Sequence, residues 1–319
     1  MKAFTFKKYG SSDVLNPETL EKPIPKANQI LVKIYATSVT AGDWRVRSAT
    51  PFPIRFHSGL LKPKNTLLGH EFAGVVEMVG EEVGEFQVGN RVFGSMGMKS
   101  GTYAEYIAVD VESPIAKIPE GLSFEEAAVV PVGFLSAYYF LQKVNLKPGM
   151  KVLIHGVSGS VGSAMLQLAK AKNAYVVGVC SSKNASWVKD WGADEVISYD
   201  NEDFTILPKK FDLIVNAVGK TSFREIKHLL KPEGKYMSND AVLSDYLDLL
   251  TQTLGGKKEQ VIVGIAEQKK TDLRVIQSLL AERKIRPYLD RVYSFDEISA
   301  AHTYVEKGRK AGNVAIQIA

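Results

Sequence analysis

The chain has 319 residues, 45% of them hydrophobic and 24% charged, enough to bury one large core or two moderate ones, which excludes a disordered polymer. Its formal charge of +5 is scattered along the chain without a basic run, which favours small anionic ligands over nucleic acid. A single cysteine, Cys180, excludes an intrachain disulfide framework and a multi-thiolate metal site.

The opening MKAFTFKKYG has no apolar signal-peptide core, and no later stretch approaches the ~18 unbroken apolar residues of a membrane helix, so a soluble, cytoplasmic protein is expected. Residues 29–39, 71–80 and 103–110 alternate apolar and polar side chains and predict strands of antiparallel type. Gly69, Gly74, Gly80, Gly84, Gly89 and Gly94 between and within them suit turns and bulges of a small barrel-like sheet. From Ser123 the texture changes. Ser123 with Glu126 forms a capping-box start for a long helical pattern, SFEEAAVVPVGFLSAYYFLQKV. Short apolar runs then alternate with helix-length segments: KVLIHG, AYVVGVC, residues 211–219, 234–240 and 260–266. Strand and helix in alternation predict an α/β fold with a doubly wound parallel sheet. The tail adds a helix in TDLRVIQSLLAERKI, a turn at Arg286-Pro287 and a last strand, NVAIQIA.

Residues 151–170, KVLIHGVSGSVGSAMLQLAK, carry the sharpest signal. A strand runs into Gly156, Gly159 and Gly162 and then into a helix, the pattern of a dinucleotide-binding turn. Gly156 allows the sharp turn, Gly159 clears the way to a pyrophosphate, and Gly162 lets helix and strand approach. The helix N-terminus offers N–H groups and positive dipole to phosphates. After the second strand stand Cys180, Ser181, Ser182, Lys183 and Asn184, where NAD enzymes place an acid for the ribose hydroxyls. Ser181, Ser182 and Lys183, with Tyr199 after the third strand, suit a 2′-phosphate instead, so NADPH is the expected cofactor.

Several segments in this order, ATSVTAGDWRVR (36–47), LLGHEFAGVVEMVG (67–80), VGNRVFG (88–94), GTYAEY (101–106), VPVGFLSAYY (130–139), GVSGSVG, GADEVISY (192–199) and GRKAGNVAIQIA, resemble the zinc-free, quinone oxidoreductase branch of the medium-chain dehydrogenase/reductase superfamily. The resemblance implies a Rossmann-type domain (123–268) and a β-rich, GroES-like catalytic domain split between residues 1–122 and 269–319, with a cleft between them. Zinc relatives ligate the catalytic metal through a Cys where this chain has Thr40, through the His of GHE, and through a further Cys or acid. One histidine, His70, lacks those further ligands, so His70 and Glu71 are read as structural or cleft-lining and no metal is expected. Without a Lewis acid, simple alcohols are poor substrates, whereas quinones, enones and enals accept hydride into a conjugated system.

By the same resemblance Ser158, Gly159, Ser160 and Val161 lie on the pyrophosphate, and Asn216, Val218 and Gly219 approach the ribose or nicotinamide. Gly264 and Ala266 border the nicotinamide, Ser136 reaches it from its helix, and Lys310 and Asn313 return from the tail to cover the cofactor. The catalytic candidates are Thr40, through its hydroxyl, and Tyr103, as a phenolic proton donor; packing for Tyr103 and solvent as proton source are the competing readings. Asp43 and Arg47, four apart, are expected to form a structural ion pair. Trp44, Phe52, Phe56 and His57 belong to an aromatic, basic loop that suits a substrate lid, a dimer contact or a plain surface loop. The expected activity is NADPH-dependent reduction of a quinone or other conjugated carbonyl compound. A reductase of enoyl thioesters or alkenals, and a non-catalytic NADPH-binding or RNA-binding protein, are the alternatives. A homodimer is expected, with residues 260–266 as a candidate edge for two-fold pairing.

Overall fold

The alternating run at 29–39 forms a ten-residue strand, Gln29–Ser38, whose apolar side chains Ile30, Val32 and Ile34 are fully buried. In the computed structural model, which describes residues 1–239, 243–254 and 260–319, this strand is the hub of the first of two units, Met1–Val132 together with Gln268–Ala319. It pairs antiparallel with Glu71–Val79, with Tyr106–Asp110 and with the last strand, Asn313–Gln317. The sheet runs Leu289–Ser294, Asn313–Gln317, Gln29–Ser38, Glu71–Val79, Arg91–Ser95, Ile115–Lys117. The tail thus contributes two strands to the sheet built by the N-terminal third.

One core of this unit gathers Ile30, Val32, Ile34, Phe72, Val76 and Val92, and a second gathers Phe4, Phe6, Leu68, Tyr103, Ile298 and Val314. Gly74 is demanded by strand spacing: a Cβ there would lie 2.1 Å from the Lys33 carbonyl oxygen. The capping box at Ser123 forms as expected, with Glu126 N–H donating to Ser123 Oγ and Ser123 N–H to Glu126 Oε2. The helix it starts stops at Ala128, however, and a second begins at Pro131. Proline has no N–H to continue a helix but suits its first turn. The ring of Phe124 stacks on Tyr35, centroids 4.5 Å apart, with the Arg91 guanidinium over it, so this short helix is held by the β-rich unit.

The second unit is Gly133–Glu267. Its six strands are Lys151–His155, Tyr175–Cys180, Glu195–Ser198, Phe211–Asn216, Leu230–Ser238 and Val261–Val263. Every neighbouring pair is parallel, and the spatial order is third, second, first, fourth, fifth, sixth. This is the order of a Rossmann sheet, whose direction of winding reverses between the first and fourth strands. The expected run at 234–240 ends as strand at Ser238, and Asp240 lies outside the described residues. Among the described residues no helix is long and apolar enough to cross a membrane.

Gly74→Ala should cost about 1–3 kcal/mol, the usual penalty for overpacking a filled interior. A urea melt with an unchanged slope and a lower midpoint is the expected result; an unchanged midpoint would show that these strands can part freely.

Candidate active site

In the second unit, the first strand leaves the sheet at the winding reversal through a turn that requires glycine. Gly156 sits at φ +81°, and a Cβ there would lie 2.3 Å from Val218 Cγ1, on the loop that follows the fourth strand. At Gly162 a Cβ would lie 2.1 Å from the Gly156 carbonyl oxygen, so helix and turn pack backbone to backbone. Gly159 is different. Its φ is an ordinary −87°, and a Cβ there would meet only the Gly156 oxygen, at 3.4 Å. It is the N-cap of helix Ser160–Ala171, where a Ser or Asp would cap the first turn, and it supplies no side-chain oxygen. No protein acceptor takes the Ser160 or Val161 N–H among the described residues. The turn therefore keeps both room and donors for an anion such as a pyrophosphate.

Asn184, 8% exposed, ties this turn to the end of the second strand, donating from Nδ2 to Ser158 Oγ at 3.1 Å and Ser181 Oγ at 3.2 Å. Ser182 is engaged elsewhere: its N–H and hydroxyl donate to the Asp200 carboxylate at 3.0 and 2.7 Å. The Ser182 hydroxyl bond holds the Asp200 carboxyl below its ordinary range. An acid thus reaches the end of the second strand from beyond the third, which the local sequence 180–184 did not show. Lys183 is exposed, and Tyr199, next to Asp200, is 55% exposed.

Asn216 was expected to approach a ligand, but the structure gives its side chain other work. It is fully buried, donates to the Thr221 carbonyl and to Tyr236 Oη, and accepts from Val218 and Gly219 N–H at 3.4 and 3.1 Å. All of its polar capacity shapes the 217–219 turn, leaving Val218 and Gly219 half-buried beside Gly156. His155, at the end of the first strand, meets Thr221 Oγ1 at 3.0 Å, and burial followed by the nearby Lys220 charge pulls its pKa down to about 4, so it is neutral. Ser136 is half-buried on helix Pro131–Gln142, while Gly264 and Ala266 follow the sixth strand, Gly264 at φ +135°.

The first unit holds a separate polar cluster. Thr40 is the N-cap of helix Ala41–Ser48, and both its N–H and its hydroxyl donate to Asp43 Oδ2, at 2.7 and 2.6 Å. Its expected contact with a ligand has given way to a capping box. Asp43 is fully buried; its Oδ1 accepts the Gly69 N–H at 3.0 Å and lies 2.6 Å from His70 Nδ1. Burial opposes the charge of Asp43, but His70 and Thr40 outweigh it and the carboxyl is held below its ordinary range. The expected ion pair with Arg47 is not made: Arg47, equally buried, reaches Glu306 and the Gly10 carbonyl instead.

Tyr103 is also fully buried. Its hydroxyl lies 2.9 Å from His302 Nε2, and burial drives its pKa well above the ordinary tyrosine value. A phenol enclosed in this way packs a core, which favours the packing reading of Tyr103 over that of a proton donor. Glu71 Oε1 accepts from Ser38 Oγ and Oε2 from Val132 N–H at 2.7 Å; burial pushes its pKa up to about 7 against both bonds. Lys310 donates to the Gly312 carbonyl, with burial lowering its pKa to about 8, and Asn313 binds the Tyr288 carbonyl. Phe52 and Phe56 stand exposed, edge to face at 5.9 Å, whereas Trp44 is half-buried against the second core.

Comparison with known proteins agrees with this geometry. Residues 26–120 match the alcohol dehydrogenase GroES-like domain and residues 191–316 the zinc-binding dehydrogenase domain. A 2-methylene-furan-3-one reductase of Solanum lycopersicum is 31% identical over 99% of this chain and 79% of its own length. The quinone oxidoreductase of Coxiella burnetii superposes with a TM-score of 0.89 at 27% identity, covering 100% of this chain and 99% of that one. The chain belongs to the quinone oxidoreductase branch of the medium-chain dehydrogenase/reductase superfamily. The Escherichia coli quinone oxidoreductase of this branch, solved in complex with NADPH, superposes at a TM-score of 0.83 with 25% identity over the full length of both chains. Membership makes this chain an oxidoreductase that uses NAD(P)H and a small-molecule acceptor.

Sequence reasoning found the glycine turn but missed Asn184, Asp200 and the Asp43–His70 pair. Asn184 meets Ser158 of the turn, and Asp200 meets Ser182, only once parallel strands lie side by side. His70 is 27 positions from Asp43, so no local spacing announces their bond.

Gly162→Ala and Gly159→Ala should separate folding from binding. The first should lower the urea midpoint by the cost of a Cβ driven against backbone, about 1–3 kcal/mol. The second should leave the melt near that of the wild type and weaken NADPH binding, followed by nucleotide fluorescence. Equal effects of both on the melt would show that Gly159, too, serves packing.

Proposed function

We propose that this enzyme reduces quinones or other conjugated carbonyl compounds with NADPH and without zinc. The observation that carries the cofactor reading is Gly159, a helix N-cap with no packing reason to be glycine, standing over the unpaired Ser160 and Val161 N–H groups. Ser158, held by Asn184, and the backbone of Gly159 to Val161 are the groups to bind a pyrophosphate. Ser181, Lys183 and Tyr199 surround the adenosine phosphate in this reading, with Ser182 and Asp200 beside them. Val218, Gly219, Ser136, Gly264 and Ala266 are assigned to the ribose and nicotinamide. When bound, the reduced nicotinamide supplies a hydride.

The acceptor class follows from donor chemistry. With Thr40 turned to Asp43 and His70 Nδ1 bound to the same carboxylate, this cluster offers His70 Nε2 alone, fewer donors than the three or four protein ligands of a tetrahedral zinc. Among the described residues no cluster of three or more His, Cys, Asp and Glu is arranged to hold a metal. An acceptor that spreads the incoming charge over a conjugated system does not need one. The reductase activity named for the Solanum lycopersicum relative and the quinone activity named for the others both fall in that class.

Loss of NADPH absorbance with benzoquinone, phenanthrenequinone and a simple enone tests this, using chelator-treated enzyme. Turnover without added zinc is expected; turnover restored only by zinc would overturn the reading. Asp200 faces the position assigned to the 2′-phosphate. Asp200→Asn should raise the ratio of kcat/KM for NADPH over NADH a few-fold, and Lys183→Ala should lower it. A ratio unmoved by either change would place the phosphate elsewhere.

A further inference from the structure

A dinucleotide-binding unit that takes NADH ordinarily carries an acid at the end of its second strand, where it accepts from an adenosine ribose hydroxyl. Residues 180–184 supply none, yet the folded unit brings one there. The third strand, Glu195–Ser198, lies parallel to the second with Ser198 level with Cys180, and the Tyr199 N–H donates to the Cys180 carbonyl at 3.0 Å. The next residue is Asp200, whose carboxylate reaches across to Ser182 and accepts its N–H at 3.0 Å and its hydroxyl at 2.7 Å. Ser182 opens helix Ser182–Asp190, so the carboxylate is pinned where the second strand passes into its helix. The same point is tied to the glycine turn, because Asn184 donates to both Ser158 Oγ and Ser181 Oγ. The first strand is flanked by the second on one side and the fourth on the other. A dinucleotide whose pyrophosphate lies on the turn therefore meets the second and third strands with its adenosine half, and strands in a sheet are only about 4.8 Å apart.

Asp200 has acceptor capacity to spare. A carboxylate offers about four lone-pair sites, and the two donors of Ser182 do not fill them. The residue is exposed, and the Ser182 hydroxyl bond holds its carboxyl below the ordinary range, so at neutral pH it is charged and only accepts. Beside it lies a hollow of about 360 Å³ lined by Asp200, Glu202 and Asp203 together with Tyr199. Three acidic residues around one hollow favour a neutral hydroxyl over a phosphate. Lys183, next to Ser182 in the chain, brings the opposite charge.

We propose that this enzyme takes NADH as well as NADPH, that Asp200 accepts the adenosine 2′-hydroxyl of NADH, and that Ser182 is its positioning residue. The proposal rests on the reading of residues 156–162 as a dinucleotide site and adds to it a second cofactor and the group that recognises it. Ser181 and Lys183 remain the groups for the 2′-phosphate of NADPH. Each cofactor then finds one favourable and one unfavourable charge adjoining Ser182, so neither is excluded. A site with an acid alone would reject the phosphate, and one with cations alone would leave the hydroxyl without a charged acceptor.

Nucleotides that differ by one group test the assignment, with the full chain and calorimetric titration. The wild type should bind both NADH and NADPH. It should bind the 2′-deoxyadenosine analogue of NADH roughly ten-fold more weakly than NADH, the size of one hydrogen bond to a charged acceptor. In Asp200→Ala, NADH should fall to the level of the analogue, while NADPH should bind no more weakly than before. Ser182→Ala, which keeps the acid but removes its hydroxyl tether, should narrow the gap between NADH and the analogue. A residue that merely starts the helix would weaken all three nucleotides alike and leave that gap in place. A wild type that binds the analogue as tightly as NADH, or an Asp200→Ala protein that keeps the gap, overturns the proposal, and so does a wild type that binds NADPH but not NADH; in each case NADPH binding leaves the dinucleotide reading standing. A wild type that binds neither cofactor sinks both. The wild-type comparison needs no variant and decides the matter even if Asp200→Ala fails to fold.

Discussion

The polar interior of the β-rich unit depends on the burial of one carboxylate. Removing Asp43 from water is tolerable only because Thr40, Gly69 and His70 surround it with donors. Each partner lies on a different piece of chain. Thr40 follows the strand Gln29–Ser38, and Gly69 and His70 precede Glu71–Val79, so one side chain fixes the entry of a helix and the approach to the neighbouring strand. Gly69 takes part through its backbone, at φ +89°, where a Cβ would strike Thr102 and Tyr103. Arg47, one helical turn along, is set free by this arrangement to reach Glu306 near the end of the tail helix. The helix therefore binds the N-terminal strands with one residue and the C-terminal tail with another.

In the nucleotide-binding unit the governing constraint is closeness of backbone. Gly156 and Gly162 are glycine because other atoms fill the space a side chain would take, and the same closeness puts the helix N-terminus over the end of the first strand. Gly159 lies between them with its space unfilled by protein. One triplet thus contains both kinds of glycine, two that serve the fold and one that the fold alone does not explain. Asn216 shows the converse at the neighbouring strand end, a polar residue at a site-like position whose whole hydrogen-bonding capacity is consumed in building a turn.

Much of this was legible in the chain because it is local. The capping box at Ser123, the alternation through Gln29–Ser38 and the strand–glycine–helix run at 151–170 are all set by residues a few positions apart. What was not legible depends on neighbours in space. The i, i+4 spacing of Asp43 and Arg47 suggested a pair, yet a buried carboxylate three residues after Thr40 closes a capping box, and His70 arrives from the segment just before the strand Glu71–Val79. Tyr103 was read from its chemistry, whereas His302, almost two hundred positions away, decides its surroundings. The segment 180–184 contains no acid, but parallel pairing of the second and third strands carries Asp200 to Ser182. Local patterns fix elements and caps; the sheet order decides which side chains from distant elements share a site.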